Sequence, residues 1–194
     1  MKTKFELQKE NALGKLNKAL EEGLVDEVMV PILSDINSRE TYYTTSSCAG
    51  RITLFQDVGS RYDNDFLARW HSPPETNEVL EKVADIAKKP PAGIVWFRQE
   101  PAILHVVSPD LEGAVRILNI ALRCGFKRSG IQVLKPGRFM VELCGTERLD
   151  VPVMQNGKLL VGYDYIEHLV GFGKEKLGTS RRKLEMFADE LKGL

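Results

Sequence analysis

The stretch Tyr42-Tyr43-Thr44-Thr45-Ser46-Ser47-Cys48-Ala49-Gly50-Arg51-Ile52 sets a run of hydroxyl side chains, a thiol, a glycine and an arginine between two apolar segments. Tyr and Thr favour extended backbone. Small polar residues ending in Gly-Arg leave backbone groups open to an anionic ligand, with a guanidinium beside them. Two readings stay open at this point. One is a ligand-binding segment, extended from Tyr42 to Gln56; the other is a Ser-rich edge strand entering a bulge at Gly50.

Working outward, the N-terminal segment is helical, because Leu13, Leu16, Leu20 and Leu24 recur at spacings of three and four, and Gly23 ends it. Asp26 is placed to cap a second helix through Ile36, with a kink or break expected at Pro31. Beyond the Ser-rich stretch, Asp57 to Pro74 reads as a loop or two short strands and a turn. Glu75 to Lys89 is a third helix, stopping before Pro90-Pro91. Strands follow at Ile94–Phe97 and Ile103–Val107. Ser108-Pro109 then caps a helix expected to bury Leu111, Val115, Leu118 and Leu122 and to stop at Gly125.

Ile131–Leu134 and Phe139–Leu143 form a hairpin around Pro136-Gly137, and an Asn156-Gly157 turn separates Val151–Val153 from Leu159–Val161. Asp164 opens a helix to about Leu177, and Ser180 starts a last one with Leu184, Phe187 and Leu191 inward. Helices alternate irregularly with strands that are mostly joined by hairpins. That pattern predicts an α+β fold with a mixed or antiparallel sheet and packed helices rather than a doubly wound Rossmann sheet, in a single compact domain over residues 1–194.

A chain of 194 residues can bury roughly 70% of its unfolded surface, so its core needs no staples. The apolar runs Val28–Leu33 and Ala102–Val107 are far too short to span a bilayer, and no signal-peptide core follows Lys2, Lys4, Glu6 and Lys9. A cytoplasmic protein is expected. Cys48, Cys124 and Cys144 are odd in number and widely spaced, and His71, His105 and His168 supply no clustered partners. Neither a disulfide framework nor a zinc site is expected.

Lys plus Arg balance Asp plus Glu at 27 each, which argues against a surface devoted wholly to nucleic acid. The charge is uneven, however. Arg123, Lys127, Arg128, Lys135 and Arg138 have no acid among them, and Lys174, Lys176, Arg181, Arg182 and Lys183 stand against Glu175 alone. Two basic stretches in a neutral chain point to an anionic macromolecule met on one side. No Gly-x-Gly-x-x-Gly follows a strand and no phosphate loop ends in Gly-Lys-Ser, so the usual nucleotide motifs are missing.

The chain resembles the third enzyme of wybutosine synthesis, a family of S-adenosylmethionine-dependent tRNA methyltransferases. The resemblance rests on Val25-Asp26-Glu27 leading to Ile36-Asn37, on Tyr43-Thr44-Thr45-Ser46-Ser47-Cys48-Ala49-Gly50-Arg51-Ile52, and on Leu104-His105-Val106. It continues through Cys124-Gly125-Phe126 with Ser129-Gly130-Ile131, Thr146-Glu147 leading to Val151-Pro152-Val153, and Gly157-Lys158-Leu159. Ser-Ser-Cys-Ala-Gly-Arg with the downstream Ser-Gly-Ile is its specific core.

The resemblance implies methyl transfer from S-adenosylmethionine to ring nitrogen N-4 of the tricyclic, wyosine-type base next to the anticodon of phenylalanine tRNA. The alternative is a non-catalytic tRNA-binding accessory protein of the same pathway. No membrane and no obligate protein partner are expected. In-line displacement needs alignment and exclusion of water, plus a modest base. His71 and His105 are the side chains whose ordinary pKa suits that task. Against the same template Ser46, Ser47, Cys48, Gly50, Ser129 and Thr146 are candidates to hold the methyl donor. Arg51, Trp70, Arg128, Arg181, Arg182 and Lys183 are candidates for tRNA and its modified base.

Overall fold

The computed structural model describes residues 2–60, 62–89 and 91–194. Five α-helices and two antiparallel sheets make up the described residues, an α+β fold with no parallel Rossmann sheet. The chain forms two compact units. The first holds Met1–Ala49, Ala102–Thr146 and Ser180–Leu194; the second holds Gly50–Pro101 and Glu147–Thr179.

In the first unit, helix α1 (Lys4–Glu21) begins with a capping box, in which Glu6 N donates to Thr3 Oγ1 at 3.2 Å and Thr3 N to Glu6 Oε2 at 2.6 Å. A short 3-10 turn, Glu27–Met29, leads into α2 (Val30–Ser38). The break expected at Pro31 falls just before it: the α-helix starts at Val30, and the proline occupies its first turn, where a missing N–H is tolerated. Asp26 makes no capping hydrogen bond to the turn that follows it. Its Oδ2 accepts instead from Ala49 N, 2.7 Å away at the end of the Ser-rich stretch.

The sheet of this unit has the order β1-β5-β7-β6, with β1 (Tyr43–Cys48), β5 (Ile103–Ser108), β6 (Gly130–Lys135) and β7 (Arg138–Cys144). Its buried side carries Leu104, Val106, Val141 and Leu143, covered by Met29, Ile32, Leu33 and Ile36 and by α4 (Leu111–Arg123). Phe126 and Phe187 meet edge to face in this core at 6.0 Å, worth about 0.5–1.5 kcal/mol beyond their burial.

Helix α4 corrects the expected stripe. Ala114, Ile117, Ile120 and Ala121 are buried, whereas Leu111 and Val115 are exposed, because the small alanines let the helix approach the sheet closely. Its cap is Asp110, whose Oδ1 accepts from Gly113 N at 2.7 Å; Ser108 belongs to the end of β5.

The second unit has the order β3-β2-β4-β8-β9, with β2 (Arg51–Asp57), β3 (Asp65–Trp70), β4 (Ile94–Glu100), β8 (Leu149–Gln155) and β9 (Lys158–Leu159). The irregular region from Asp57 to Pro74 resolves into the end of β2, strand β3 and turns; Arg61 lies outside the described residues. Ile52, Leu54, Val95, Phe97 and Val153 pack against Val79, Val83 and Ile86 of α3 (Thr76–Lys88) and against Ile166, Leu169 and Val170. Asn156 (φ 46°) and Gly157 (φ 80°) make the expected turn, both in the left-handed region that a type I′ hairpin demands.

Two expectations fail for reasons of packing. The stretch from Tyr42 to Gln56 is not one extended segment. At Gly50 the backbone turns to φ 92°, so β1 ends at Cys48 and β2 starts at Arg51 in the other sheet. The C-terminal region forms one helix, α5 (Tyr163–Leu191), running through Gly171, Gly173 and Ser180. Gly173 is used for close approach: a Cβ there would lie 3.0 Å from Ile52 Cδ1 and 3.3 Å from Phe97 Cζ. Ser180 is buried rather than marking a helix start.

Candidate active site

The Ser-rich strand β1 is the edge of its sheet, and side chains fasten its outer side. Thr44 N donates to Asn37 Oδ1 at 2.9 Å, and Asn37 Nδ2 donates to Thr44 Oγ1 at 2.8 Å. Asn37 therefore stands in for a neighbouring strand over one residue, and Asp26 does the same for Ala49. A buried backbone N–H left without such a partner costs about 1–3 kcal/mol. Between the two anchors the pairing with β5 shifts, with Thr44 opposite Val106 and Ser47 opposite Leu104, so that Thr45 and Ser46 form a bulge and both are exposed.

That bulge aims Ser46 at His105. Ser46 Oγ is 3.1 Å from His105 Nδ1, and His105 Nε2 is 2.8 Å from Glu142 Oε2. Glu142 lies directly across from His105 on β7, and its Oε1 accepts from Gln132 Nε2 at 3.2 Å. With Glu142 ionised, Nε2 carries the proton that binds it. Nδ1 is then the acceptor, and Ser46 hydroxyl the donor. A hydroxyl at the surface is thus connected through an imidazole to a carboxylate, an arrangement able to take up a proton and hold the resulting imidazolium.

By strand pairing Cys48 stands opposite Ile103 and Ile103 opposite Cys144, so Cys48 shares the sheet side of His105 and Glu142; Ser47 pairs with the buried Leu104 and belongs to the other side. Ser129 Oγ accepts from Cys144 N at 3.1 Å, closing the loop into β6. Thr146 Oγ1 accepts from Lys183 Nζ at 3.3 Å. The Lys183 stem runs beside Gly125, where a Cβ would come within 2.9 Å of its Cε. The two basic stretches therefore meet in this unit at Gly125 and Lys183, with Arg128 exposed three residues after the glycine and Arg181 and Arg182 directly before the lysine in α5.

In the second unit Gly50 provides the positive φ before β2, and Arg51 pairs with Glu100, directly opposite on β4. The Arg51 and Arg69 guanidinium carbons lie 4.9 and 4.4 Å from the Phe66 ring centre, and that of Arg98 lies 4.0 Å from Phe55. Arg51 is thus one of a set of arginines laid over aromatic rings, with its charge matched by Glu100. Trp70 Nε1 donates to Glu78 Oε1 at 2.6 Å, and its ring packs against the core of this unit. His71 is exposed.

The sequence assigned no role to Glu142 or Gln132, and it did not reveal that Asn37 and Asp26 anchor β1. Only one signal for Glu142 was present in the chain: in Phe139-Met140-Val141-Glu142-Leu143 it is the one charge in an apolar strand, on the opposite face from Val141 and Leu143.

The family model described as Methyltransferase TYW3 matches residues 7–193. A protein of Thermococcus sibiricus is 40% identical over 192 residues, 98% of this chain and 95% of its own length. It is named tRNA(Phe) 7-((3-amino-3-carboxypropyl)-4-demethylwyosine(37)-N(4))-methyltransferase. A protein of the same name in Methanocaldococcus jannaschii is 32% identical over 94% of both chains. The solved structure of the PH1069 protein from Pyrococcus horikoshii superimposes with a TM-score of 0.89 at 37% identity, over 97% of this chain and 94% of that one.

Proposed function

We propose, for a chain that belongs to the Methyltransferase TYW3 family, that it methylates ring nitrogen N-4 of the tricyclic wyosine-type base in phenylalanine tRNA, in the cytoplasm, with S-adenosylmethionine as donor. The observation carrying this reading is the Ser46–His105–Glu142 chain, in which an exposed hydroxyl meets a half-buried imidazole and carboxylate, in a protein that matches a methyltransferase family nearly end to end. Nothing favours the accessory, non-catalytic alternative.

The donor would supply an electrophilic methyl on a sulfonium, leaving as a neutral thioether. The residues present fit such a ligand. Thr45 and Tyr43 give neutral hydroxyls to a groove that Arg138 also lines, with Ser46 next to Thr45, and Arg138 Nε meets no acceptor among the described residues. This chain's part is then to orient and to move one proton. Ser46 hydroxyl, hydrogen-bonded to His105, receives the proton released from the acceptor nitrogen as its own passes to Nδ1. Glu142 stabilises the imidazolium, and Gln132 keeps Glu142 in place. Cys48 lies beside this face and, since a ring nitrogen needs no covalent activation, serves packing or donor contact. Ser129 and Thr146 act by holding Cys144 N and Lys183.

For the tRNA, the meeting point of Lys183 and Gly125, with Arg128, Arg181 and Arg182 near it in sequence, is the surface best suited to phosphates. Arg51 and Trp70 contribute through the arginine–aromatic sheet face and its support on α3. Equilibrium titration with S-adenosylhomocysteine, without RNA, tests the enzymatic reading: saturable one-to-one binding is expected. No binding at any accessible concentration would leave only a presenting role.

A further inference from the structure

Gln8, Asn11, Ala12 and Lys15 recur at helical spacing on one face of α1, opposite Tyr43 and Thr45 of β1 and Arg138 of β7. These residues line a groove of about 250 Å³, smaller than the pockets that take whole drug-sized ligands and suited to a side-chain-sized group. Two cations line it and no acid does. Arg138 lines the groove while only partly buried, and its Nε meets no acceptor among the described residues. Burial pushes the Tyr43 phenol above the ordinary tyrosine value while the Arg138 charge pulls it back, and the Tyr43 hydroxyl is 3.3 Å from Gln8 Oε1.

The groove is continuous with the proposed active face. Thr45 adjoins Ser46 in the same bulge, and Arg138 shares the alternate side of β7 with Glu142, four residues or about 13 Å along the strand. Its lining joins cations to neutral oxygens on Gln8, Asn11 and Thr45. A phosphate would use the cations alone, whereas a carboxylate with a neighbouring ammonium uses both.

We propose that this groove binds an α-amino-acid head, with its carboxylate on Arg138 and Lys15 and its ammonium on the amide and hydroxyl oxygens of Gln8, Asn11 and Thr45. The identity of the head rests on the methyl-transfer reading: the methionine end of the donor and the aminocarboxypropyl arm in the relatives' acceptor both present this group.

The test uses full-length protein, its Arg138→Met and Lys15→Met variants, and Arg138→Lys as a milder change, each checked for an unaltered thermal melt. If the head belongs to the donor, S-adenosylhomocysteine binds about 10- to 100-fold more weakly to Arg138→Met, and 5′-methylthioadenosine, which lacks the amino-acid end, binds equally to both. If it belongs to the acceptor, donor affinity is unchanged. The variant then loses the same factor for tRNA carrying the arm, and nothing for tRNA with the tricycle alone. Unchanged affinity for every ligand in both Met variants overturns the proposal.

A separate arm reads the groove without methyl transfer. The Arg138 Nε–H resonance should shift on titration with L-methionine and not with methylamine. That shift in a protein unable to bind S-adenosylhomocysteine would keep the groove and discard the methyl-transfer reading; no shift would discard the groove.

Discussion

His105 and Glu142 face each other across β5 and β7, with Nε2 2.8 Å from Oε2, and the edge-strand bulge brings Ser46 to the opposite nitrogen at 3.1 Å. A carboxylate so placed fixes which imidazole nitrogen is free to accept a proton. Replacing Glu142 with Gln keeps the shape and removes the charge. The expected result is a fall in kcat of about 10- to 100-fold with KM for tRNA little changed. His105→Ala should lose about 10²- to 10⁴-fold, the usual worth of general base catalysis. Wild-type kcat in both variants would show the pair to be structural.

Asp26 and Asn37 hold the two ends of β1 from outside the sheet. Asn37→Ala leaves Thr44 N, and Asp26→Ala leaves Ala49 N, without the acceptor each now has. Each change should cost about 1–3 kcal/mol by chemical denaturation and lower activity through a loosened Ser46 bulge. An unshifted denaturation midpoint in both would mean that neither anchor bears on the strand.

Two glycines close together in α5 should respond with opposite signs. At Gly171 an added Cβ meets nothing within 4 Å, so Gly171→Ala gains helix propensity and stabilises by about 0.5–1 kcal/mol. At Gly173 the same methyl presses on Ile52 and Phe97, and overpacking of about 1–3 kcal/mol outweighs that gain. Thermal melts of the two variants decide it; equal shifts of the same sign would contradict the packing described.

The basic stretches meet at Lys183 and Gly125, so charge removal there should act on RNA as a group. Arg128→Gln, Arg181→Gln, Arg182→Gln and Lys183→Gln are expected to weaken tRNA binding and to flatten its salt dependence, by about 0.7–0.9 in log–log slope for each phosphate no longer neutralised. Affinity and slope equal to wild type would leave these side chains to local structure alone.

What was legible in the chain was local. Pro136-Gly137 and Asn156-Gly157 fixed two hairpins because their turn chemistry admits few alternatives, and the spacing of Val79, Val83 and Ile86 fixed α3. What was not legible depends on distant partners. Ser180 looks like a helix start until burial takes it into α5, and only Ile52 and Phe97 show why Gly173, inside the expected helix, has to be small. Leu111 and Val115 fit a helical stripe as well as Ala114 and Ile117 do, and only the sheet they meet selects the second pair. At the site, the Ser-rich stretch and His105 stood out by composition. Glu142 became visible only once strand register set it opposite the histidine.

The most direct measurement is transfer of labelled methyl from S-adenosylmethionine to two phenylalanine tRNAs, one isolated from cells lacking this activity and one transcribed without modification. Guanine lacks the tricycle's stacking area and its N–H at the matching position, and small misplacements are costly in a displacement. Label is expected only in the first tRNA, on the tricycle's ring nitrogen by mass spectrometry of the released nucleoside. Equal label in both tRNAs, or none in either with correctly folded protein, would contradict it.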